Sequence, residues 1–236
     1  MAREYQRALN AVKIDRMFAK PFVGCLDGHA DVVNCLLKHP TSLSSLISAS
    51  SDGEIKLWNI QQRKCLRSIN AHDGIVRALC APKTGEYFFS IDGNANLKQW
   101  KLNDWSLTVE DDDPESVADP NEPLNTIIGK SITMSMDHHH ALPQIITCGE
   151  KVELWEETRP EPLKAYSWGV DSVHCIKFNP VETDVVCSAA SDRSLTLYDT
   201  RLSTPLRKVV LEMKSNKIAW NPMVAFHFTV ANEDNE

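Results

Sequence analysis

Short runs of alternating apolar and polar residues, interrupted every few positions by turn residues, occupy most of the chain. Residues 32–37, 46–49 and 55–58 are β-compatible runs broken by Pro40-Thr41 and by Ser51-Asp52-Gly53, and residues 64–69 supply an outer fourth strand. The same grouping recurs at 75–80, 87–90 and 97–102 around Pro82-Lys83-Thr84-Gly85. The departure from this pattern lies at residues 3–20. There Tyr5, Leu9 and Val12 follow helical spacing, Arg7, Lys13 and Arg16 fall on other faces, and Pro21 ends the run. This spacing predicts a short helix, either packed on the first sheet or held off it as an arm that docks on a partner.

The strand groups carry a longer period. Gly28-His29 precedes a strand ending in Trp58, and Ala71-His72 precedes one ending in Trp100. Lys151-Val152-Glu153-Leu154-Trp155 and Ser194-Leu195-Thr196-Leu197-Tyr198-Asp199 repeat the alternating strand that closes on an aromatic. These aromatics, at 58, 100, 155 and 198, are spaced by 42, 55 and 43 residues. A period of about 40–45 residues with His and Trp-Asp-like marks is the pattern of a WD-repeat β-propeller. The long middle interval coincides with an acidic, proline-containing stretch at about residues 104–123, which reads as a flexible loop. The expected organisation is a helical leader at residues 1–22 and an all-β, partial propeller at residues 23–236. It holds about four blades and a partial fifth of an expected seven. That fifth blade has residues 217–220 and 226–230, then reaches Asn232-Glu233-Asp234, a turn. An unclosed ring leaves sheet faces uncovered, so a truncated chain is expected, one that alone is open, aggregation-prone or dependent on a partner.

Within a blade, His, Ser, Asp and Trp side chains can form one buried hydrogen-bonded chain. The indole N–H only donates, the hydroxyl donates and accepts, and the imidazole offers its second N–H to a carboxylate. Such a chain fixes one strand register. His29, Ser48, Asp52 and Trp58 fit the whole pattern. His72, Ser90 and Trp100 fit it with Asn94 in the Asp position, which removes the charged end. Unit three offers Thr147 and Trp155, and unit four offers Ser188, Asp192 and Tyr198 with no matching His. A Ser/His/Asp set also invites a hydrolase reading. Recurrence at repeat spacing, burial between strands and the lack of a GxSxG elbow argue against it, so no catalytic residue is expected. His138-His139-His140 suggests a metal on composition, but three adjacent side chains do not readily converge on one ion, and a solvated loop is expected instead. No cofactor and no metal are expected.

Composition narrows the setting. Seven cysteines with no CxxC pair argue for reduced thiols. No apolar run reaches the roughly 18–20 residues of a membrane span, and the first residues are charged rather than an apolar secretory core. The formal net charge of −7 offers no global attraction to nucleic acid or an anionic membrane.

Several strings are more specific than a generic repeat. They are Arg3-Glu4-Tyr5 with Arg7-Ala8-Leu9-Asn10-Ala11, Arg16-Met17-Phe18-Ala19-Lys20-Pro21-Phe22, Tyr166-Ser167-Trp168-Gly169, and Lys177-Phe178-Asn179-Pro180. Trp220-Asn221-Pro222-Met223 with Ala225-Phe226, and Ala231-Asn232-Glu233-Asp234, complete the set. From Arg3 to Asp234 the chain resembles the Sof-type WD-repeat proteins of the small-subunit processome, known in animals also as a cullin-four-associated factor. The resemblance implies a nuclear, nucleolar scaffold that joins processome proteins and the box C/D snoRNP during 18S rRNA maturation. Members of that family carry a basic C-terminal extension with no counterpart in these 236 residues. Contact with pre-rRNA is therefore expected to be indirect. The local basic clusters, Arg63-Lys64 with Arg67 and Arg207-Lys208, read more simply as solvated surface charge.

Residues 186–201 resemble the sixteen-residue box with which some WD proteins dock on the adaptor of cullin-four ubiquitin ligases. The resemblance makes Asp192, Tyr198, Asp199 and Arg201 candidate docking residues, with Arg201 as a forked donor toward the adaptor. The plainer reading is an Asp199–Arg201 contact within the blade. The leading expectation is a non-catalytic assembly factor, and the alternative is a ligase substrate receptor.

Overall fold

The computed structural model describes residues 2–19, 22–102, 122–167 and 172–233. Helix α1 (Ala2–Phe18) is followed by strands grouped four at a time in chain order. Blade one holds β1 (Val33–Lys38), β2 (Ser45–Ser50), β3 (Glu54–Asn59) and β4 (Lys64–Asn70), paired in that order. Blade two holds β5 (Val76–Cys80), β6 (Tyr87–Asp92), β7 (Asn96–Lys101) and β8 (Asn125–Ile128). Blade three holds β9 (Thr133–His138), β10 (Gln144–Gly149), β11 (Val152–Glu156) and β12 (Lys164–Tyr166). Blade four holds β13 (Val173–Phe178), β14 (Val185–Ala190), β15 (Ser194–Asp199) and β16 (Arg207–Val210). A two-stranded sheet, β17 (Ser215–Trp220) with β18 (Phe228–Asn232), stands fifth. All pairings are antiparallel, and the arrangement is an incomplete β-propeller. Blade two closes with β8 on the far side of residues 103–121. The acidic stretch itself lies outside the described residues, apart from its last positions.

The cores lie between blades, not within them. Ile47, Ile55 and Leu57 of blade one meet Val76, Phe88 and Trp100 of blade two. Phe89, Ile91 and Leu97 meet Met136, Ile145 and Trp155 across the next interface. Ile146 and Leu154 then meet Ile176, Val186 and Tyr198, and Cys187 and Leu195 meet Ile218 with Trp220. Successive side chains of a strand point to opposite faces, so Phe88 and Phe89 enter different cores, as do Ile145 and Ile146. A second strand buried on both sides must be apolar at consecutive positions, which is why β6 and β10 lose the alternation seen elsewhere.

Among the described residues no sheet covers the other side of blade one, and Val33 and Leu36 of β1 are exposed. Helix α1 does not cover it. Tyr5, Val12, Met17 and Phe18 are all exposed, and only Leu9 is partly covered. The expectation that the helix packs on the first blade is therefore corrected. Its apolar positions are too sparse among charges to outweigh the solvation of the basic and acidic residues between them.

A bulge recurs on each innermost strand. The register skips one residue between Val33 and Cys35, Val76 and Ala78, Thr133 and Ser135, Val173 and Cys175, and Ser215 and Lys217. The skipped residues, Asn34, Arg77, Met134, His174 and Asn216, thus occupy equivalent places around the axis. A bulge adds twist and re-aims a side chain, which suits strands that crowd around a common centre.

Candidate functional site

The polar chains of the first two blades sit at the blade edge between the strand that ends in Trp and the loop that carries His. In blade one, Trp58 Nε1 donates to Ser48 Oγ at 2.7 Å, and His29 Nε2 lies 2.5 Å from the same hydroxyl. In blade two, Trp100 Nε1 donates to Ser90 Oγ at 2.8 Å and His72 Nε2 lies 2.7 Å away. Ser48 and Ser90 are buried, each with two partners.

The acid ends differ from the expected pattern. The carboxylate closest to His29 Nδ1 is that of Glu54, at 3.6 Å, while Asp52 Oδ1 accepts the Glu54 backbone N–H at 3.0 Å and so shapes the turn. In blade two the charged end is not lost at Asn94. Asp92 stands 3.7 Å from His72 Nδ1, and its carboxylate also accepts the backbone N–H groups of Asn94 and Asn96. Asn94 lies in the turn after β6, whereas Asp92 ends that strand with its side chain on the blade-edge side. The turn between β6 and β7 matches that of blade one, with Ala95 at φ 63° where Gly53 has φ 91°, and Asp92 stands in the place of Ser50. Burial holds His29 and His72 below the usual histidine range, against the pull of the neighbouring carboxylates. Lys56 Nζ lies 2.6 Å from Glu54 Oε1, so the acid near His29 is already paired with a cation.

Blades three and four keep parts of the device. Trp155 Nε1 donates to Thr147 Oγ1 at 2.9 Å, and among the described residues no imidazole bonds that hydroxyl. Tyr198 and Ser188 are both buried, on the paired strands β15 and β14. Asp192 accepts from the Ser194 backbone at 3.0 Å and pairs with Lys208 at 2.8 Å.

A second recurrent device lies at the opposite strand ends. Asn179 Oδ1 accepts the backbone N–H groups of Val181 and Glu182, and Asn221 Oδ1 accepts that of Met223. His39 Nδ1 does the same for Thr41 and Ser42, and His139 Nδ1 for Ala141 and Leu142. Each caps the turn after an innermost strand. The sequence signal is a His or Asn next to Pro at 39–40, 179–180 and 221–222, and it was readable. The histidine triplet is thereby explained, and the solvated loop expected there is corrected. His138 and His139 are buried. His138 Nδ1 lies 2.6 Å from the His139 carbonyl and Nε2 lies 2.6 Å from Glu157 Oε1. Glu157 also accepts from the Tyr87 hydroxyl at 2.8 Å, joining blade three to blade two.

The docking box divides its polar residues: Asp199 and Arg201 stand at this same end, at the close of β15, whereas Asp192 lies in the β14–β15 turn at the other end. Asp199 is buried and Arg201 exposed, and the two form a bidentate pair at 2.9 and 2.7 Å. Arg201 also approaches Asp184 at 3.7 Å. The arginine holds the Asp199 carboxyl below the ordinary carboxylate range. Of the basic clusters, Lys208 is committed to Asp192.

Two segments, residues 20–59 and 63–101, match the family described as WD domain, G-beta repeat. These are the two blades with a complete His–Ser–Trp chain. Across 98% of its length the chain is 48% identical to "DDB1- and CUL4-associated factor 13" of Danio rerio, covering 50% of that protein. It is 48% identical over 92% of its length to the Homo sapiens protein of the same name, covering 47% of it. It is 40% identical over 99% of its length to "Protein SOF1" of Saccharomyces cerevisiae, covering 50% of that protein. The chain belongs to the Sof-type WD-repeat proteins. It spans about half the length of the curated relatives it matches. In this Sof-type sequence, blades three and four keep the strand order of the repeat without its His, and their interfaces are filled instead by Tyr166, Phe178 and Tyr198.

Proposed function

We propose that the protein is a non-catalytic scaffold of the small-subunit processome, acting in 18S rRNA maturation and small ribosomal subunit biogenesis in the nucleolus. The observation that carries this reading is 40% identity over nearly the whole chain to yeast "Protein SOF1". Its partners are processome proteins and the box C/D snoRNP, with pre-rRNA reached through them. The geometry supports a scaffold. The Ser and His side chains that resemble a hydrolase set are buried and engaged with Trp58 and Trp100, leaving no exposed nucleophile in them. The rigid stacked blades present turns capped by His39, His139, Asn179 and Asn221 to several partners at once. Depletion of the protein is expected to accumulate 18S precursors on northern blots, and normal processing would refute the reading.

A second reading rests on the name shared by several relatives and on residues 186–201. Asp192, Tyr198, Asp199 and Arg201 would shape a docking surface for a cullin-four ligase adaptor. Because Arg201 is exposed while paired to Asp199, it has N–H groups left to offer a partner. Adaptor recovery in pull-downs should fall with Arg201→Ala and Asp199→Ala. Equal recovery would remove these residues from the interface.

A further inference from the structure

The innermost strands β1, β5, β9, β13 and β17 pack successively against one another, and all five line one open cavity of about 470 Å3. Its charged lining residues are Arg77, Lys177 and Lys217, with Asn34, Ser135 and Cys175 among the others, and no carboxylate of the described residues lines it. This is the reverse of the whole chain, whose formal net charge is −7. Lys177 is paired outside the lining set, with Asp137 Oδ1 at 2.8 Å. Arg77 and Lys217 make no salt bridge to any described residue. Arg77 is one of the bulged positions, and its side chain lines the cavity with Nε near Gly93 of the β6–β7 turn. Lys217 faces the cavity from β17, and its charge is felt at the Cys35 thiol on β1 and at Cys148 in blade three. Three strands separated by most of the arc therefore direct cations to one place.

We propose that this channel is a binding site for an acidic peptide segment of a partner protein. Arg77 and Lys217, neither with a counter-charge among the described residues, repel each other, and a carboxylate-bearing chain relieves that repulsion while making charge-assisted hydrogen bonds to both. The cavity volume lies within the roughly 300–1,000 Å3 typical of ligand sites, which suits a few residues of extended peptide and excludes a nucleic-acid duplex. Asn34 and Ser135 supply neutral donors and acceptors to the peptide backbone. The assembly role proposed above does not require this site, and the site can be tested without it.

The test uses purified protein and a fluorescently labelled hexaglutamate peptide, read by anisotropy at low salt. Binding in the micromolar range is expected, weakening steeply as salt is raised because the contacts are ionic. The Arg77→Gln/Lys217→Gln double variant should bind at least tenfold more weakly. A control double variant at cations away from the channel, Lys64→Gln/Arg207→Gln, should bind as the wild type does. Circular dichroism spectra that superimpose for all three proteins establish that the fold is kept. Where the double glutamine variant does not fold, Lys217→Gln alone is read, with a threefold or greater loss expected. Absent binding to the wild type, equal loss in the control variant, or tighter binding of a hexauridine RNA than of the peptide would each overturn the proposal. Displacement of the peptide by millimolar inorganic phosphate would also overturn it, by showing a site for any anion.

Discussion

Ser90→Ala removes one oxygen from the interface between the first two blades and leaves two buried groups without a partner. Ser90 is fully buried, and Trp100 and His72 beside it are only 2% and 6% exposed. The indole N–H, 2.8 Å from Ser90 Oγ, only donates, and His72 Nε2, 2.7 Å away, has no other hydrogen-bond partner among the described residues. Orphaning a buried polar group costs roughly 1–3 kcal/mol, so the variant should lose about 2–6 kcal/mol. That is a large share of the roughly 5–15 kcal/mol that holds a typical domain. Thr147→Val is the internal comparison. It keeps the side-chain shape and orphans only the Trp155 indole, so a loss of about 1–3 kcal/mol is expected. Ser203→Ala, at an exposed position, should change stability by less than about 0.5 kcal/mol. Urea unfolding followed by far-ultraviolet circular dichroism measures all three, with a common slope required for comparison. A Ser90→Ala loss no larger than that of Ser203→Ala would refute the view that the hydroxyl closes a buried polar chain. So would a Thr147→Val loss greater than that of Ser90→Ala.

Gly53→Ala should cost more than about 2 kcal/mol, because Gly53 has φ 91° and a Cβ there would collide with the His72 carbonyl; a thermal melt within a degree of wild type would contradict this. Acidification should weaken the fold. His29, His72 and His139 are held below the ordinary histidine range by burial, so the unfolded chain takes up protons that the folded chain refuses. Their contribution is intact above the unfolded value near 6.5 and declines as pH falls below it. For His72, held down at about 4, the loss is about 2 kcal/mol at pH 5. Urea midpoints that rise between pH 7 and pH 5 would refute the assignment. Native alkylation followed by mass spectrometry should modify the exposed Cys25 and Cys65 well before Cys187, which is buried and whose thiol burial pushes up to about 12. Equal rates would show that the blade-four core opens readily.

Much of this protein is determined locally and was legible without coordinates. Alternation and turn residues place the strands, since the period of two and the Pro and Gly breaks act over a few residues. The aromatic spacing then sets the blades, because each repeat needs the same strand lengths to stack on its neighbour. The Ser–Trp contacts follow from register, as Ser48 and Trp58 sit on paired strands. Other features depend on what the blades bring together. Asp92, not Asn94, stands beside His72, because the last residue of β6 is brought to the imidazole by the packing of the loop that carries His72. His138 and His139 are buried, because one meets Glu157 across a blade and the other caps a turn. The exposure of α1 depends on the absence of a matching apolar face for its sparse Tyr5, Leu9 and Val12. The cationic channel is the clearest case. Arg77, Lys177 and Lys217 are scattered over 140 positions of an acidic chain, and only the curling of five innermost strands about one axis makes them neighbours. Periodicity is a property of neighbouring residues, whereas charge convergence is a property of distances between strands, and those distances exist only once the blades have packed.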